Sequence, residues 1–223
     1  MLQQFINYCE THLDFNIQAP AGYNSAPLCA LDSVFSIGVR YSSVVKVVNR
    51  FLKLCGNLPI DTDINTSEVL KIIGETPGEI LADQNHLDNR QKTDTKAAAL
   101  LKADAFLRFL RVMRKYNIET CQDIADNVDN EYFKNCIKAI RGQTSGLTLE
   151  YLFILARIDT YVKVDRHIKH FVTQASGNEH LSKAEITALI RQTAEVMAKS
   201  THPGMTARWL DHIIWCYDCR PQL

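Results

Sequence analysis

The chain has 223 residues, 46% hydrophobic and 22% charged, with 9 glycines and 6 prolines, which is long enough to bury a substantial core and excludes a disordered or fibrous class. Lysine plus arginine equals aspartate plus glutamate at 25 each, so no global basic field recruits nucleic acid. Any DNA contact must come from a local patch.

In chain order, Leu2, Phe5, Ile6, Cys9 and Leu13 recur at spacings of three and four and predict a first helix. Met1 to Asp14 mixes Gln, Asn, Glu and His among its apolar residues without a basic n-region, so no export signal is expected there. An irregular stretch follows over 16–27, rich in turn formers. Leu28 to Leu54 predicts two apolar core helices separated near 38–43, the second closed by Gly56. Ser67 is placed to cap a short helix that Gly74 stops.

The segment 75–96 holds a Pro-Gly pair and the polar run DQNHLDNRQKTDT, and is expected to be a surface loop with room for one helical turn. From Ala97 to Tyr116 the pattern is amphipathic, with Leu100, Ala103, Phe106, Leu107, Leu110 and Met113 inward and Lys102, Arg108, Arg111, Arg114 and Lys115 on other faces. Thr120 can cap a short helix ending near Asn127, and Asp129 or Asn130 another. Ser182 and Glu185 match a capping box, and Thr206 opens a last helix. No strand pattern competes, no internal repeat is present, and no run of about 18 apolar residues could span a membrane. The fold class expected is all-α. The seven cysteines, odd in number and mostly inside apolar helical patterns, point to a reducing, cytoplasmic setting without membrane contact.

The informative stretch is Glu131 to Val172. Two helices flank Gly142-Gln143-Thr144-Ser145-Gly146, a turn whose backbone amides can face outward together with those opening the next helix. Such a turn forms a phosphate-binding nest, with Lys138 and Arg141 supplying charge; it can equally be a plain helix-to-helix turn. Between residues 134 and 170 seven Lys or Arg (134, 138, 141, 157, 163, 166, 169) face three acids (150, 159, 165), a local balance of +4. After one apolar helix comes Val164-Asp165-Arg166-His167.

Hairpin, helix, then Val-Asp-x-His resembles the helix-hairpin-helix DNA glycosylase superfamily (HhH-GPD), which includes endonuclease III and the adenine and oxidised-guanine glycosylases. The likeness covers about residues 30–172 and is carried mainly by 140–170. It implies a two-subdomain helical fold within one domain, one subdomain of about 30–160 and the other from about 1–29 plus 161–223. It also implies a monomeric protein that grips double-stranded DNA by its phosphates through Gly142 to Gly146, Lys138, Arg141 and Arg166. Asp165 would then be the catalytic carboxylate facing the sugar of a flipped nucleotide. Phe35-Ser36-Ile37-Gly38 falls where relatives place a turn at the DNA face, and Ser36, Arg40 and Tyr41 are the residues expected to line a base pocket. Apart from the resemblance, Asp165 also suits a helix N-cap.

The chain departs from the family pattern in three places. Where bifunctional members carry a lysine that attacks the sugar, Gly146 or Leu147 stands here, so lyase chemistry through that position is not expected. Lys163, two residues from Asp165, is expected to point elsewhere. Only Cys216 and Cys219 occur near the carboxyl end, too few for the four-cysteine iron–sulfur cluster of several relatives. A zinc ion on that pair with His212 or His202 is the lesser alternative to a site with no metal and no cofactor. Gly38 stands where relatives often place the side chain that fills the gap left by a flipped base. The resulting expectation is a monofunctional base-excision glycosylase, the alternative being a non-catalytic helix-hairpin-helix DNA-binding module of a repair or defence assembly.

Overall fold

The computed structural model describes residues 1–95 and 99–219. Twelve helices and no strand lie among the described residues, with one isolated antiparallel bridge between Lys92 and Leu101. None of these helices is long and apolar enough to cross a membrane. The chain divides into two compact units, residues 22–156 and residues 1–21 with 157–223.

The continuous unit is built around α2 (Ala26–Phe35), all ten of whose residues are buried, and which packs against α9 (Leu147–Leu155), α6 (Lys102–Lys115) and α3 (Tyr41–Leu54). The irregular stretch expected up to residue 27 ends sooner. Ser25 caps α2 by accepting from the Leu28 amide, and Pro27 sits in the first turn, where its missing N–H costs no helical bond. Phe51 of α3 meets Phe106 of α6 edge to face at 5.7 Å. Two shorter helices, α4 (Thr66–Ile73) and α5 (Gly78–Leu81), lie against α6.

The cap of α4 is Asn65, in a capping box with Glu68, rather than Ser67. Ser67 instead gives its amide and hydroxyl to the Glu119 carboxylate, at 2.7 and 2.5 Å. A distant acid outcompeted the local cap, which a scan of nearest neighbours could not register. Thr120 caps α7 (Cys121–Asp126) in a second box with Asp123, and Asn130 caps α8 (Glu131–Lys138).

The described part of the polar segment, 75–95, holds the single helical turn allowed for it and adds backbone pairing that was not expected. It contains α5 and then pairs with the strand-like residues before α6, Thr93 N to Leu100 O at 2.9 Å and Lys102 N to Gln91 O at 2.8 Å. The helix expected from Ala97 begins at Lys102; residues 97 and 98 lie outside the described residues, as does Lys96. Lys102 itself reverses the expectation of an outward face, being only 2% exposed. Its Nζ donates to the carbonyls of Phe35 (2.9 Å) and Ile37 (2.7 Å), groups at the end of α2 that no helical amide can reach.

The second unit joins α1 (Leu2–His12) to α10 (Arg166–Ser176), α11 (Lys183–Lys199) and α12 (Ala207–Asp218) around Phe5, Ile168, Phe171, Ile190, Leu210 and Ile214. Phe5 and Phe171 meet edge to face at 6.0 Å. Arg208, 8% exposed, ties the segment entering this unit to its amino-terminal piece, donating to Asp159 Oδ1 at 2.9 Å and Pro20 O at 2.7 Å. Ser182 and Glu185 form the capping box expected of them.

Candidate nucleic-acid interface and carboxylate site

The turn between α8 and α9 requires glycine twice. Gly142 and Gly146 have φ of +85° and +76°, a region that L side chains rarely adopt, and Gly146 is the N-cap of α9. Within the turn the Gln143 amide bonds Ile140 O (2.9 Å) and the Gly146 amide bonds Gln143 O (3.1 Å). Those two donors are therefore spent internally. Gln143, 3% exposed, also turns its side chain inward to accept from the Thr148 hydroxyl, which removes it from the set of side chains able to touch a ligand. What faces outward is the exposed pair Thr144 and Ser145, whose amides have no partner among the described residues.

Arg141, Gly142, Thr144 and Ser145 line an open hollow of about 420 Å³, and Asp94 lines it with them. Lys138 stretches across the other end of the turn, its Cε 3.4 Å from where a Cβ on Gly146 would stand. Two cationic side chains thus flank two outward amides, while one carboxylate opposes them.

Asp165 belongs to the other unit, where it is the N-cap of α10. Its Oδ1 accepts from the amides of His167 (2.9 Å) and Ile168 (3.2 Å), and its side chain is 15% exposed. Oδ2 takes no part in the cap. It lies 3.8 Å from Lys163 Nζ, so the lysine expected to point elsewhere is in fact the cation nearest this carboxylate in the ion pairs of this unit. Arg166 turns toward the neighbouring imidazole, its Nε 3.2 Å from His167 Nε2.

Residues 3–219 match the family model described as a domain of unknown function (DUF8548). The chain belongs to that family. Neither the curated proteins nor the solved structures yield a match.

Two further polar clusters mark this DUF8548 chain. In the continuous unit Asp32, fully buried inside the mostly apolar α2, accepts from Ser36 Oγ (2.6 Å), Tyr23 OH (2.8 Å) and Tyr41 OH (3.3 Å). Burial first, and then the charge of Asp32, push the Tyr41 phenol up to about 12 and raise Tyr23 further. Ser36 and Tyr41, two of the expected pocket residues, therefore meet on a shared carboxylate. The third, Arg40, is exposed at the N-cap of α3, and its guanidinium has no hydrogen-bond or ion-pair partner among the described residues. Gly38 has φ of +71° with open space around its α-carbon.

In the second unit Asp218 at the end of α12 receives both imidazoles of α10, His167 Nδ1 at 2.6 Å and His170 Nδ1 at 2.5 Å. Burial raises the Asp218 carboxyl, but hydrogen bonds from His170 and His167 and their charges outweigh it and hold the net value below the usual 3.8. Cys219 Sγ is 3.7 Å from His167 Nε2, and Cys216 Sγ is 3.6 Å from His212 Nε2. His202 is engaged elsewhere, on Glu10 at 3.0 Å and stacked on Phe15. Among the described residues no group of three His, Cys, Asp or Glu is arranged to hold a metal ion.

Sequence reasoning missed Asp32, Tyr23, Lys102 and Asp218. A signal existed for the first, a lone acid in the apolar run APLCALDSVF, which only buried partners can stabilise. Nothing local marks Asp218, whose partners lie 48 and 51 residues away.

Proposed function

We propose that this protein is a helix-hairpin-helix DNA-binding domain that acts as a monofunctional base-excision glycosylase, with Asp165 as the catalytic carboxylate. The observation that carries the reading is the division of labour at Asp165. One oxygen is fixed by two backbone amides, and the other is left outside the cap beside Lys163. A carboxylate held in this way needs little reorganisation when charge develops opposite it. Loss of a base builds positive charge on the deoxyribose, so a fixed anion beneath the sugar stabilises the transition state more than the ground state. The same carboxylate can orient or deprotonate the attacking water. The base leaves the stack first, at a cost of a few kcal/mol that is smallest for damaged or mispaired bases.

The DNA-gripping role falls to the amides of Thr144 and Ser145 with Lys138 and Arg141, a nest suited to one phosphate group. Backbone amides and lysine read no sequence, so this contact serves register rather than base choice.

The test is release of free base from duplexes carrying alkylated, oxidised, deaminated or mismatched bases, comparing wild type with Asp165→Asn. Asparagine preserves the cap, so the variant should fold and bind duplex as wild type does while base release falls about 100-fold or more. Strands should break only after alkali. A second reading, a non-catalytic module using the same hairpin, is favoured by the fact that capping alone accounts for Asp165. Salt-sensitive duplex binding with no base released from any substrate would select it, and duplex binding without salt dependence, or none at all, would remove both readings.

A further inference from the structure

None of the seven cysteines is in a disulfide bond, and two of them touch within the continuous unit. Cys29 of α2 and Cys121, the first residue of α7, lie 92 positions apart in the chain with their Sγ atoms 3.8 Å apart. That separation is thiol contact; a disulfide bond would bring the sulfurs to about 2.05 Å. The two thiols are unequal in access. Cys29 is fully buried, whereas Cys121 is partly exposed and turns its S–H toward Tyr23 O at 3.4 Å. We propose that Cys29 and Cys121 form a dithiol site that a small-molecule disulfide, such as an oxidised low-molecular-weight thiol, converts to an internal cross-link between α2 and α7.

The order of events follows from access. Cys121 gives up its thiol proton to solvent base and attacks one sulfur of the disulfide RSSR; the S–S bond of RSSR breaks, and RS⁻ leaves and takes up a proton. Cys29, in contact with the mixed disulfide, then loses its proton and attacks Cys121 Sγ, expelling the second RS⁻, which is protonated in turn. The net exchange oxidises two protein thiols and reduces one RSSR to two RSH, with no other reactant. Burial holds the Cys29 thiol protonated, which makes it the second and slower partner. Cys9 and Cys55 are buried too, and among the described residues neither has a second sulfur in contact with it. Cys216 and Cys219 sit one helical turn apart, where Cβ atoms are about 5 to 6 Å from each other, wider than a disulfide tolerates.

Cross-linking positions so far apart restricts the unfolded chain, so the oxidised protein should resist unfolding more than the reduced one. The experiment incubates the full chain with oxidised glutathione, quenches with acid and an alkylating reagent, and follows intact mass, non-reducing peptide maps and the urea midpoint. The expected result is loss of two hydrogens, a linked peptide pair containing Cys29 and Cys121, and a midpoint that rises on oxidation and returns on reduction. Cys121→Ser, at the more exposed partner, should fold and show neither the cross-link nor the midpoint shift; Cys29→Ala should behave alike. A linked pair that maps to Cys216 and Cys219, an unchanged mass, or glutathione retained on Cys121 without a cross-link would overturn the proposal.

Discussion

Gly142 packs its bare α-carbon against Thr93, so closely that a Cβ on the glycine would overlap the threonine side chain. The contact joins the hairpin to the end of the polar segment, at Thr93. Gly142→Ala should destabilise the protein by about 1–3 kcal/mol, from the left-handed φ and from the overlap together. Thr93→Gly in the same chain should recover the steric part and leave the backbone part. Urea unfolding of the two single variants and the double variant gives the coupling, and a coupling of zero would mean the overlap carries no cost.

Asp94 shares the hollow at the hairpin with Arg141, Thr144 and Ser145. If a phosphate sits there, the carboxylate opposes it. Asp94→Asn should then tighten duplex binding about three- to tenfold at low ionic strength, with the gain fading as salt screens the charges. Fluorescence anisotropy across a salt series checks this, alongside Lys138→Ala and Arg141→Ala, each expected to weaken binding and lower the salt slope by roughly one.

Lys102 closes the carboxyl end of α2 from a buried position, and burial lowers its pKa from 10.5 to about 8. Lys102→Met would leave two carbonyls without donors and should cost about 1–3 kcal/mol. The pH dependence has a definite sign. Below about 8 the lysine is protonated in both states and its contribution is constant. Between about 8 and 10.5 the unfolded chain still binds a proton that the folded chain has released, so stability rises with pH over that window. The difference in unfolding free energy between wild type and Lys102→Met should therefore widen in favour of wild type from pH 8 to pH 10, and a difference that narrows would contradict the burial of a charge-bearing amine.

Asp218 has the same sign at the acid end of the scale. Its carboxyl is held below the usual 3.8 despite burial, by His170 and His167. A depressed folded value means stability that is fully present above the unfolded pKa and lost as pH falls through the folded one. Asp218→Asn should thus be less stable than wild type at pH 6 and converge on it below about pH 3. Thermal melts at pH 3 to 7 measure the convergence.

Much of this molecule is legible in one dimension. Periodic apolar residues placed the helices of both units, and short-range capping rules identified Thr120, Ser182 and Thr206 because the capping oxygen and its amide are three residues apart. The two hairpin glycines were legible because a tight turn demands positive φ wherever it occurs. Gln143 was not, since whether a polar side chain in a turn faces outward depends on what waits beneath it, here Thr148.

The same distinction runs through the candidate sites. Asp165 is a cap by local rule, but only the folded chain brings Lys163 to its second oxygen and sets two histidines against Asp218. Lys102 reads as a surface cation because a helical pattern reports which face a residue is on, not that the end of another helix lies there needing a donor. By itself the sequence determined most of the elements, several of their caps and the turn glycines, all properties of residues a few positions apart, while the cap of α4 passed from Ser67 to Asn65 because Glu119, far along the chain, takes Ser67. The tertiary structure alone decided which buried charges found partners, because desolvation makes an unpaired charge costly and its partner can come from anywhere along the chain.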